Sequence, residues 1–301
     1  MIMLKTRMIA VAVCVICLAT NAFAQDITAG EIFKNVADTY ERLHTYKAEG
    51  TIVSDMDIDG TKMKVETSFS ILLKKPNMYL ISWTQSNMPM LGMFQSGTVW
   101  SDGTQPYLYM GVKNEYAKMK SDEAALASAA GISGGAASTI PLLFLSVFKE
   151  RPAPFSWLKD PKVEKSEKVG EEDCYVISGA SMASEKETYW ISKSRYLIAK
   201  CARSLAPPEG GMEIPEMTNE RLDDTLKLMG RDVTEENRKS LREMMNVSRN
   251  IVKTTKVKGV STETHTKISS PELNKTDFEF EPPKDAVLKD TLFGGIFGGD
   301  K

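Results

Sequence analysis

The sequence predicts a mainly β chain of the α+β class, in which antiparallel strands form one sheet. Stretches in which apolar and polar residues alternate lie between residues 46 and 119 and between 163 and 203, as in strands with one buried face. Turn signals such as Asp59-Gly60 divide these stretches at the spacing of hairpins. Apolar residues at helical spacing occur only in a few shorter segments, so we expect the helices to lie outside the sheet.

The first 24 residues have the pattern of a cleavable signal peptide. Lys5 and Arg7 give a positive start, residues 8–20 form an uncharged apolar run, and Ala22-Phe23-Ala24 offers a small-x-small cleavage site. The run is shorter than the roughly 20 residues that span a bilayer. This favours cleavage over the alternative of an uncleaved anchor, and predicts an exported chain that is soluble after cleavage.

The composition argues against a nucleic-acid binder. The chain has 38 basic and 40 acidic residues and a net charge of −2. Cleavage after residue 24 removes Lys5 and Arg7 but no acid, which leaves a net charge of −4. A protein that displaces counterions from a phosphate backbone needs a basic surface, so we expect no nucleic-acid partner.

Two cysteines, Cys174 and Cys201, remain after the predicted cleavage, and each lies in a strand-like stretch. In an oxidising compartment they would pair if the fold brought the two strands together. We therefore predict a disulfide, with two buried free thiols as the alternative.

A helix is expected to open the mature chain, because Thr28 and Glu31 form a capping-box pattern. Its apolar stripe is Ile32, Phe33, Val36, Tyr40 and Leu43. The predicted strands cover residues 46–58, 63–73, 78–84, 92–96, 99–100, 106–111, 115–119, 163–169, 174–179, 187–191, 197–203, 251–257 and 262–268. The last two are expected to meet at a turn at Lys258-Gly259.

Three segments interrupt the strand pattern. Residues 121–138 are rich in Ala, Gly and Ser and predict a mobile loop, which is followed by a short buried helix in the strongly apolar residues 139–148. Residues 204–250 predict a linker and a pair of helices inserted into the β domain, the second helix capped by Thr234. The tail at 291–301 is glycine-rich and is expected to be flexible.

The residues that catalysis or metal binding would require are not arranged in a recognisable pattern. The two histidines, His44 and His265, have no partner at helical spacing, so a zinc site is not expected. Residues 131–135 match the Gly-x-Ser-x-Gly pattern, but they lie in a predicted loop and do not follow a strand, so no nucleophile elbow is expected. We predict no catalytic residues, no metal and no cofactor; an enzyme of unrecognised type is the alternative.

Several short motifs follow one another in an order that resembles the outer-membrane lipoprotein carrier (LolA/LolB-like) superfamily, near its uncharacterised periplasmic members. They are Gly50-Thr51, Lys74-Lys75-Pro76-Asn77, Trp100-Ser101-Asp102-Gly103 and Phe278-Glu279-Phe280-Glu281-Pro282-Pro283. The resemblance covers roughly residues 28–204 and 250–288. It implies a LolA-like domain at 25–290: a strongly curved, half-open antiparallel β-barrel with a helical lid over an apolar cavity, located in the periplasm.

The resemblance also implies a ligand and a site. Superfamily members bind lipoprotein acyl chains without catalysis, and a basic residue at the position of Lys75 latches the lid. Methionine is abundant, and flexible thioethers suit adaptable apolar surfaces, although each methionine could equally fill the core. The candidate cavity and lid residues are Met78, Leu80, Trp83, Met93, Met110, Leu142, Leu143, Phe144 and Phe148.

Two functions follow from these predictions. The first is a non-enzymatic carrier or chaperone in the periplasm for lipid or lipoprotein acyl chains, which bind by displacing the lid. The alternative is a sensor or adaptor that docks on a membrane-protein partner, with residues 204–250 as the docking surface. Deleting that insertion would discriminate between them.

Overall fold

The computed structural model describes residues 27–86, 96–181, 184–206, 218–228, 232–254, 256–290 and 292. The predicted signal peptide, Met93, most of the predicted strand at 92–96 and most of the tail lie outside these residues.

In the part of the chain that the structure describes, twelve strands form a single sheet. In chain order they are β1 (Thr45–Ile58), β2 (Thr61–Lys74), β3 (Met78–Ser86), β4 (Ser96–Asp102), β5 (Pro106–Met110), β6 (Glu115–Lys118), β7 (Lys159–Val169), β8 (Glu172–Ala180), β9 (Glu187–Ser192), β10 (Ile198–Ser204), β11 (Val257–Ser269) and β12 (Val287–Lys289). Their order across the sheet is β12-β6-β5-β4-β3-β2-β1-β11-β10-β9-β8-β7. All neighbours are antiparallel except β12 and β6, and the two end strands do not pair, so the sheet is open. The predicted fold class is confirmed.

Five α-helices in the described residues accompany the sheet: α1 (Ala29–Arg42), α2 (Asp122–Ile132), α3 (Thr139–Phe144), α4 (Asn219–Leu228) and α5 (Glu235–Thr254). The predicted capping box starts α1, because the Glu31 amide donates to Thr28 Oγ1 at 3.2 Å and the Thr28 amide donates to Glu31 Oε2 at 2.8 Å.

Helices α1, α2 and α3 cover one face of the sheet, called here the inner face. A single apolar core joins Ile32 of α1 and Phe144 of α3 to Ile81 of β3 and Ile191 of β9, which lie in opposite arms of the sheet. Phe33 of α1 stacks on the Phe155 ring with a centroid separation of 4.4 Å. Because both arms pack on the same helices, the sheet must curve around them, as the half-open arrangement requires.

The C-terminal segment covers part of the opposite, outer face. The Phe280 ring packs on Trp100 of β4 and Tyr109 of β5, with centroid separations of 4.9 and 5.6 Å. Phe278 is fully buried beside it. The Phe-x-Phe motif therefore seals outer-face aromatic residues rather than the inner core.

Two local predictions are wrong. Residues 122–132 form helix α2 instead of a mobile loop; alanine is the best helix former, and Ser121 caps the helix by accepting from the Ala124 amide at 3.2 Å. Residues 251–254 continue α5, and β11 runs unbroken past Gly259. Gly259 adopts a φ of +145°, and a Cβ there would lie 2.0 Å from the Asp55 carbonyl oxygen, so the glycine serves close strand pairing, not a hairpin turn.

The predicted disulfide is also wrong, because Cys174 and Cys201 are free, buried cysteines. Cys174 of β8 pairs with Ser192 of β9, whereas Cys201 of β10 pairs with Tyr189 of β9. Strand β9 therefore separates them by two strand spacings, about 9–10 Å, beyond the roughly 4.4–6.8 Å between Cα atoms that a disulfide allows.

The inserted helices α4 and α5 have a small core of their own, formed by Leu222, Leu226 and Leu241. Arg238 joins the pair by donating to both carboxylate oxygens of Asp223, at 2.6 and 2.9 Å. Thr234 caps α5 as predicted, since its Oγ1 accepts from the Asn237 amide at 3.1 Å. No helix among the described residues is long and apolar enough to cross a membrane.

Candidate functional site

The segment predicted as the lid, residues 139–148, is anchored to the turn between β2 and β3. The Ser146 amide donates to the Pro76 carbonyl at 3.1 Å, and the Val147 amide donates to Asn77 Oδ1 at 3.1 Å. Pro76 and Asn77 thus hold the C-terminal end of the lid by accepting hydrogen bonds from its backbone amides, one at a main-chain carbonyl and one at a side-chain oxygen.

Lys75 lies between α1 and the lid. Its Nζ donates to the Tyr40 carbonyl at 2.9 Å and to the Glu41 carbonyl, both in the last turn of α1, where carbonyls lack helical partners. The same Nζ lies 5.2 Å from the centroid of the Phe144 ring. Burial lowers the pKa of Lys75 below its ordinary value. These contacts give Lys75 the geometry of a link between the first helix and the lid.

The predicted cavity residues do not all lie on the same face. Trp83 and Met110 are buried in the inner core, as are Phe144 and Phe148 of the lid. Leu142 and Leu143 are half-buried against that core. Met78 and Leu80 alternate with the inner residues of β3, and Leu80 pairs with Trp100, so both lie on the outer face.

Most of the space beneath the lid is filled, but two cavities remain beside it. The first has a volume of about 470 Å³ and lies between the end of α1 and the lid. Its lining includes Lys75, Leu143, Phe144 and Phe148. The second has a volume of about 610 Å³ and lies between the lid and strands β9 and β10. Leu142 and Arg151 line both cavities.

The second cavity has an apolar wall. Leu142 contributes from the lid, and Pro152, Pro154 and Trp157 contribute from the segment that follows it. The Trp157 side chain is 55% exposed, an unusual position for so large an apolar ring. Both the volume and the predominantly apolar lining are typical of small-molecule sites, which span about 300–1,000 Å³.

The opposite wall of the second cavity is polar. Glu187 accepts from the Ser181 hydroxyl at 2.6 Å and from the Tyr189 hydroxyl at 3.0 Å. Nε of Arg203 lies 3.5 Å from the same carboxylate, and its Nη2 donates to Thr139 Oγ1 at 3.4 Å. Burial acts to lower the pKa of Arg203, but neighbouring ionisable groups, among them Cys201, Tyr189 and Glu187, raise it above its ordinary value, so the guanidinium stays charged.

A buried carboxylate holds the start of the lid. Thr139, the first residue of α3, donates to Glu263 Oε2 at 2.9 Å, and Nε2 of His265 lies 2.8 Å from Glu263 Oε1. Burial raises the pKa of Glu263, but contacts with His265, Arg203 and Thr139 outweigh it and hold the pKa below its ordinary value. The lid is therefore fixed at both ends, to β11 at Thr139 and to the β2–β3 turn at Ser146.

The sequence interpretation missed these polar residues. Glu187, Arg203, Glu263 and His265 occupy buried or half-buried positions of strands, where an apolar residue is the norm. A polar residue on the buried face of a strand could have indicated the site, but recognising it requires knowing which face of the strand is buried. Among the described residues, no three His, Cys, Asp or Glu side chains come together in a way that could hold a metal ion.

Comparison with known proteins gives matches in structure only. No family model matches the sequence, and no curated protein matches it. An uncharacterised conserved protein of Thermus thermophilus is 10% identical, covering 87% of this chain and 98% of that chain with a TM-score of 0.42. A LolA superfamily protein of Nitrosomonas europaea is 12% identical (84% of this chain, 98% of that chain, TM-score 0.28). The lipoprotein LppX of Mycobacterium tuberculosis is 10% identical (80% and 95%, TM-score 0.38).

One of these neighbours is a member of the superfamily that the motifs resemble. Sequence identities of 10–12% and TM-scores below 0.5 carry no information about the ligand of this chain. What the chain binds has to follow from its own residues.

Proposed function

We propose that this protein binds lipid or lipoprotein acyl chains without catalysis, in the cavity between the lid and strands β9 and β10. The observation that carries the proposal is the cavity of about 610 Å³ with Leu142, Pro152, Pro154 and Trp157 along one wall. An acyl chain is the ligand chemistry that such a wall favours, because its binding is driven by removal of apolar surface from water.

The free energy gained by burying an acyl chain is large enough to account for binding. At about 0.8 kcal/mol for each methylene removed from water, a chain of about 14 carbons would gain about 11 kcal/mol before the costs of binding. Since the cavity exists with the lid closed, the chain would enter beside Leu142 first. Moving Phe144 and Phe148, which are buried, would be required only for a longer chain or a second one.

The location proposed with this function is the periplasm, where an exported acyl-chain carrier would meet its cargo. This rests on the signal-peptide pattern in the sequence, which lies outside the described residues. A periplasmic carrier would receive its cargo from a membrane and release it to an acceptor with a more favourable site.

The test is a titration of residues 25–301 with a fluorescent fatty acid, on wild type and two variants. Trp157 and Leu288 are both exposed apolar residues, with exposures of 55% and 52%, but only Trp157 lines the cavity. Neither is needed to fill the core, so both variants should fold. We expect Trp157→Ser to weaken binding about tenfold, because it removes roughly the apolar contact of one large side chain, and Leu288→Ser to leave binding unchanged.

The cavity is supported as the site if binding to wild type is saturable, Trp157→Ser weakens it and Leu288→Ser leaves it unchanged. Equal affinities for all three proteins would place the ligand elsewhere, and no saturable binding to wild type would refute the function. Circular dichroism of each variant confirms that the comparison is made between folded proteins.

A further inference from the structure

The two cavities beside the lid carry a charge that differs from the rest of the chain. Their linings contain four cationic residues, Lys75, Lys149, Arg151 and Arg203, but only two acidic ones, Glu41 and Glu187. The whole chain, by contrast, has more acidic than basic residues. A positive rim around apolar walls is unexpected in a site for an uncharged hydrocarbon chain.

The Arg203 guanidinium has more N–H donors than it has short hydrogen bonds. A guanidinium carries five N–H groups in a planar fork. The contacts of Arg203 with Glu187 and Thr139 are 3.5 and 3.4 Å long, near the limit of hydrogen bonding, and the Tyr189 hydroxyl is a further neighbour. Glu187 already accepts shorter bonds from Ser181 and Tyr189. A ligand anion could therefore engage Arg203 without leaving Glu187 unsatisfied.

Arg151 supplies a second cation on the same cavity. Its guanidinium lies 5.4 Å from the centroid of the Phe148 ring, and no carboxylate among the described residues forms an ion pair with it. The side chain is exposed at the rim, so it can turn toward a bound group at little cost. With one half-buried arginine, one exposed arginine and a single acidic residue, the lining of the second cavity has a net positive charge.

We propose that the second cavity selects acyl amphiphiles whose head group is an anion, a carboxylate or a phosphate, and that Arg151 and Arg203 hold that head group while the chain lies along Leu142, Pro154 and Trp157. This proposal rests on the proposed function and narrows its ligand class. Planar arginine forks match both carboxylate and phosphate oxygens, so the shared chemistry is a terminal anion beside an acyl chain.

The test is calorimetric titration of residues 25–301 with three amphiphiles that share a lauroyl chain: laurate, lauroyl lysophosphatidate and monolauroylglycerol. Each is used below its micelle concentration and at a pH where both anions are ionised. We expect at least one anion to bind about tenfold more tightly than the neutral glyceride, the factor expected of a hydrogen bond to a charged group. The better of the two anions identifies the head group.

Variants locate the head group. Arg151→Gln should weaken binding of the preferred anion about tenfold and leave the glyceride unchanged. Lys193→Gln is the matched control, since Lys193 is also an exposed cation over an aromatic ring, 5.1 Å from the Tyr175 centroid, but it lies away from the cavity. The double variant Arg203→Gln/Glu187→Gln removes a cation without leaving an unpaired buried carboxylate. It should also weaken binding of the preferred anion and leave binding of the glyceride unchanged.

Each outcome decides a different point. The head-group proposal is refuted if the glyceride binds as tightly as both anions. It is also refuted if Arg151→Gln weakens binding of the glyceride and of the anion equally. In both cases the acyl-chain site stands. If no amphiphile binds to the wild type, the proposed function itself fails. An anion preference that Lys193→Gln reduces as much as Arg151→Gln would show a general charge effect and would also refute the head-group site.

Discussion

At the scale of single residues, the inner face of the sheet owes its polar character to a few side chains in an otherwise apolar core. Glu263 is 5% exposed: Thr139 and the thiol of Cys201 donate to its Oε2, at 2.9 and 3.4 Å, and His265 Nε2 lies 2.8 Å from its Oε1. A buried carboxylate is tolerated only when its partners offset its desolvation. The hold of Glu263 on Thr139, at the start of residues 139–148, therefore depends on its ionised state.

The first prediction follows from the pKa of Glu263. Because its folded-state pKa is held below the ordinary value of 4.5, its contribution to stability is present above pH 4.5 and is lost as the pH falls through the lower folded-state value. Glu263→Gln should therefore lower the free energy of unfolding by about 1–3 kcal/mol at pH 7, and this difference should narrow below pH 4.5. Urea denaturation at a series of pH values measures both effects.

Glu49→Gln is the control, because Glu49 is also paired, with Lys267 at 2.6 Å, but at an exposed position. Its effect should stay below about 1 kcal/mol at every pH. A Glu263→Gln variant that is as stable as wild type at pH 7 would contradict the role given to this carboxylate.

Residue-scale prediction from the sequence succeeded where the cause is local. The capping box of Thr28 and Glu31 involves four consecutive residues, so the sequence specifies it completely. The face of Met78 and Leu80 was not predictable in the same way. Alternation shows that Tyr79, Ile81 and Trp83 share one face and Met78 and Leu80 the other, but which face is covered by helices depends on distant chain segments.

At the scale of elements, the lid is a short helix tied at both ends and linked by Lys75 to α1. The lid helix was predictable because its residues are almost all apolar, and a segment of that kind has to be buried. Helix α2 was not predictable in this way, because the glycines at 131, 134 and 135 are typical of a flexible segment. In the structure, Gly134 and Gly135 have positive φ values and form the turn after the helix, which ends at Ile132.

The second prediction tests Lys75 as the link to the lid. Lys75→Gln removes the charged donor that bonds the last turn of α1 and contacts the Phe144 ring. Amide hydrogen exchange in residues 139–148 should become about tenfold faster, the factor for a partly desolvated cation–π contact such as that with Phe144, while exchange in β8 and β9 stays unchanged.

Lys74→Gln is the matched control, because the neighbouring Lys74 also donates to a carbonyl, that of Leu273 at 2.5 Å, away from the lid. It should leave exchange in the lid unchanged. Equal acceleration by both substitutions, or none by Lys75→Gln, would show that Lys75 does not restrain the lid.

At the scale of the whole molecule, the chain divides into the curved sheet with its inner helices and an inserted helical pair. Strands β10 and β11 pair up to Ser204 and Val260, and the Leu205 amide donates to the Gly259 carbonyl at 2.9 Å. The pair α4 and α5 thus leaves and re-enters the sheet at one point between neighbouring strands. Its separate core makes it a candidate for removal without damage to the rest.

The third prediction concerns this removal. Replacing residues 207–255 by Asn-Gly gives a four-residue loop, Asn-Gly-Lys256-Val257, between Ala206 and Lys258 in the existing register. The replacement should leave a cooperatively folded protein whose affinity for fatty acid changes less than about twofold. Thermal unfolding and the fluorescence titration measure the two properties. Loss of acyl binding from a folded deletion variant would show that the helical pair contributes to the site.

The most direct test of the central claim is to find where an acyl chain lies. Residues 25–301 would be photolabelled with a diazirine analogue of palmitate, digested, and the labelled peptides identified by mass spectrometry, with and without excess palmitate. We predict labels that palmitate suppresses in residues 138–142 and 151–157, the two segments that supply the apolar wall of the second cavity. Labels confined to the open groove around Met56, Met63 and Lys258, or labels that palmitate does not suppress, would contradict the account.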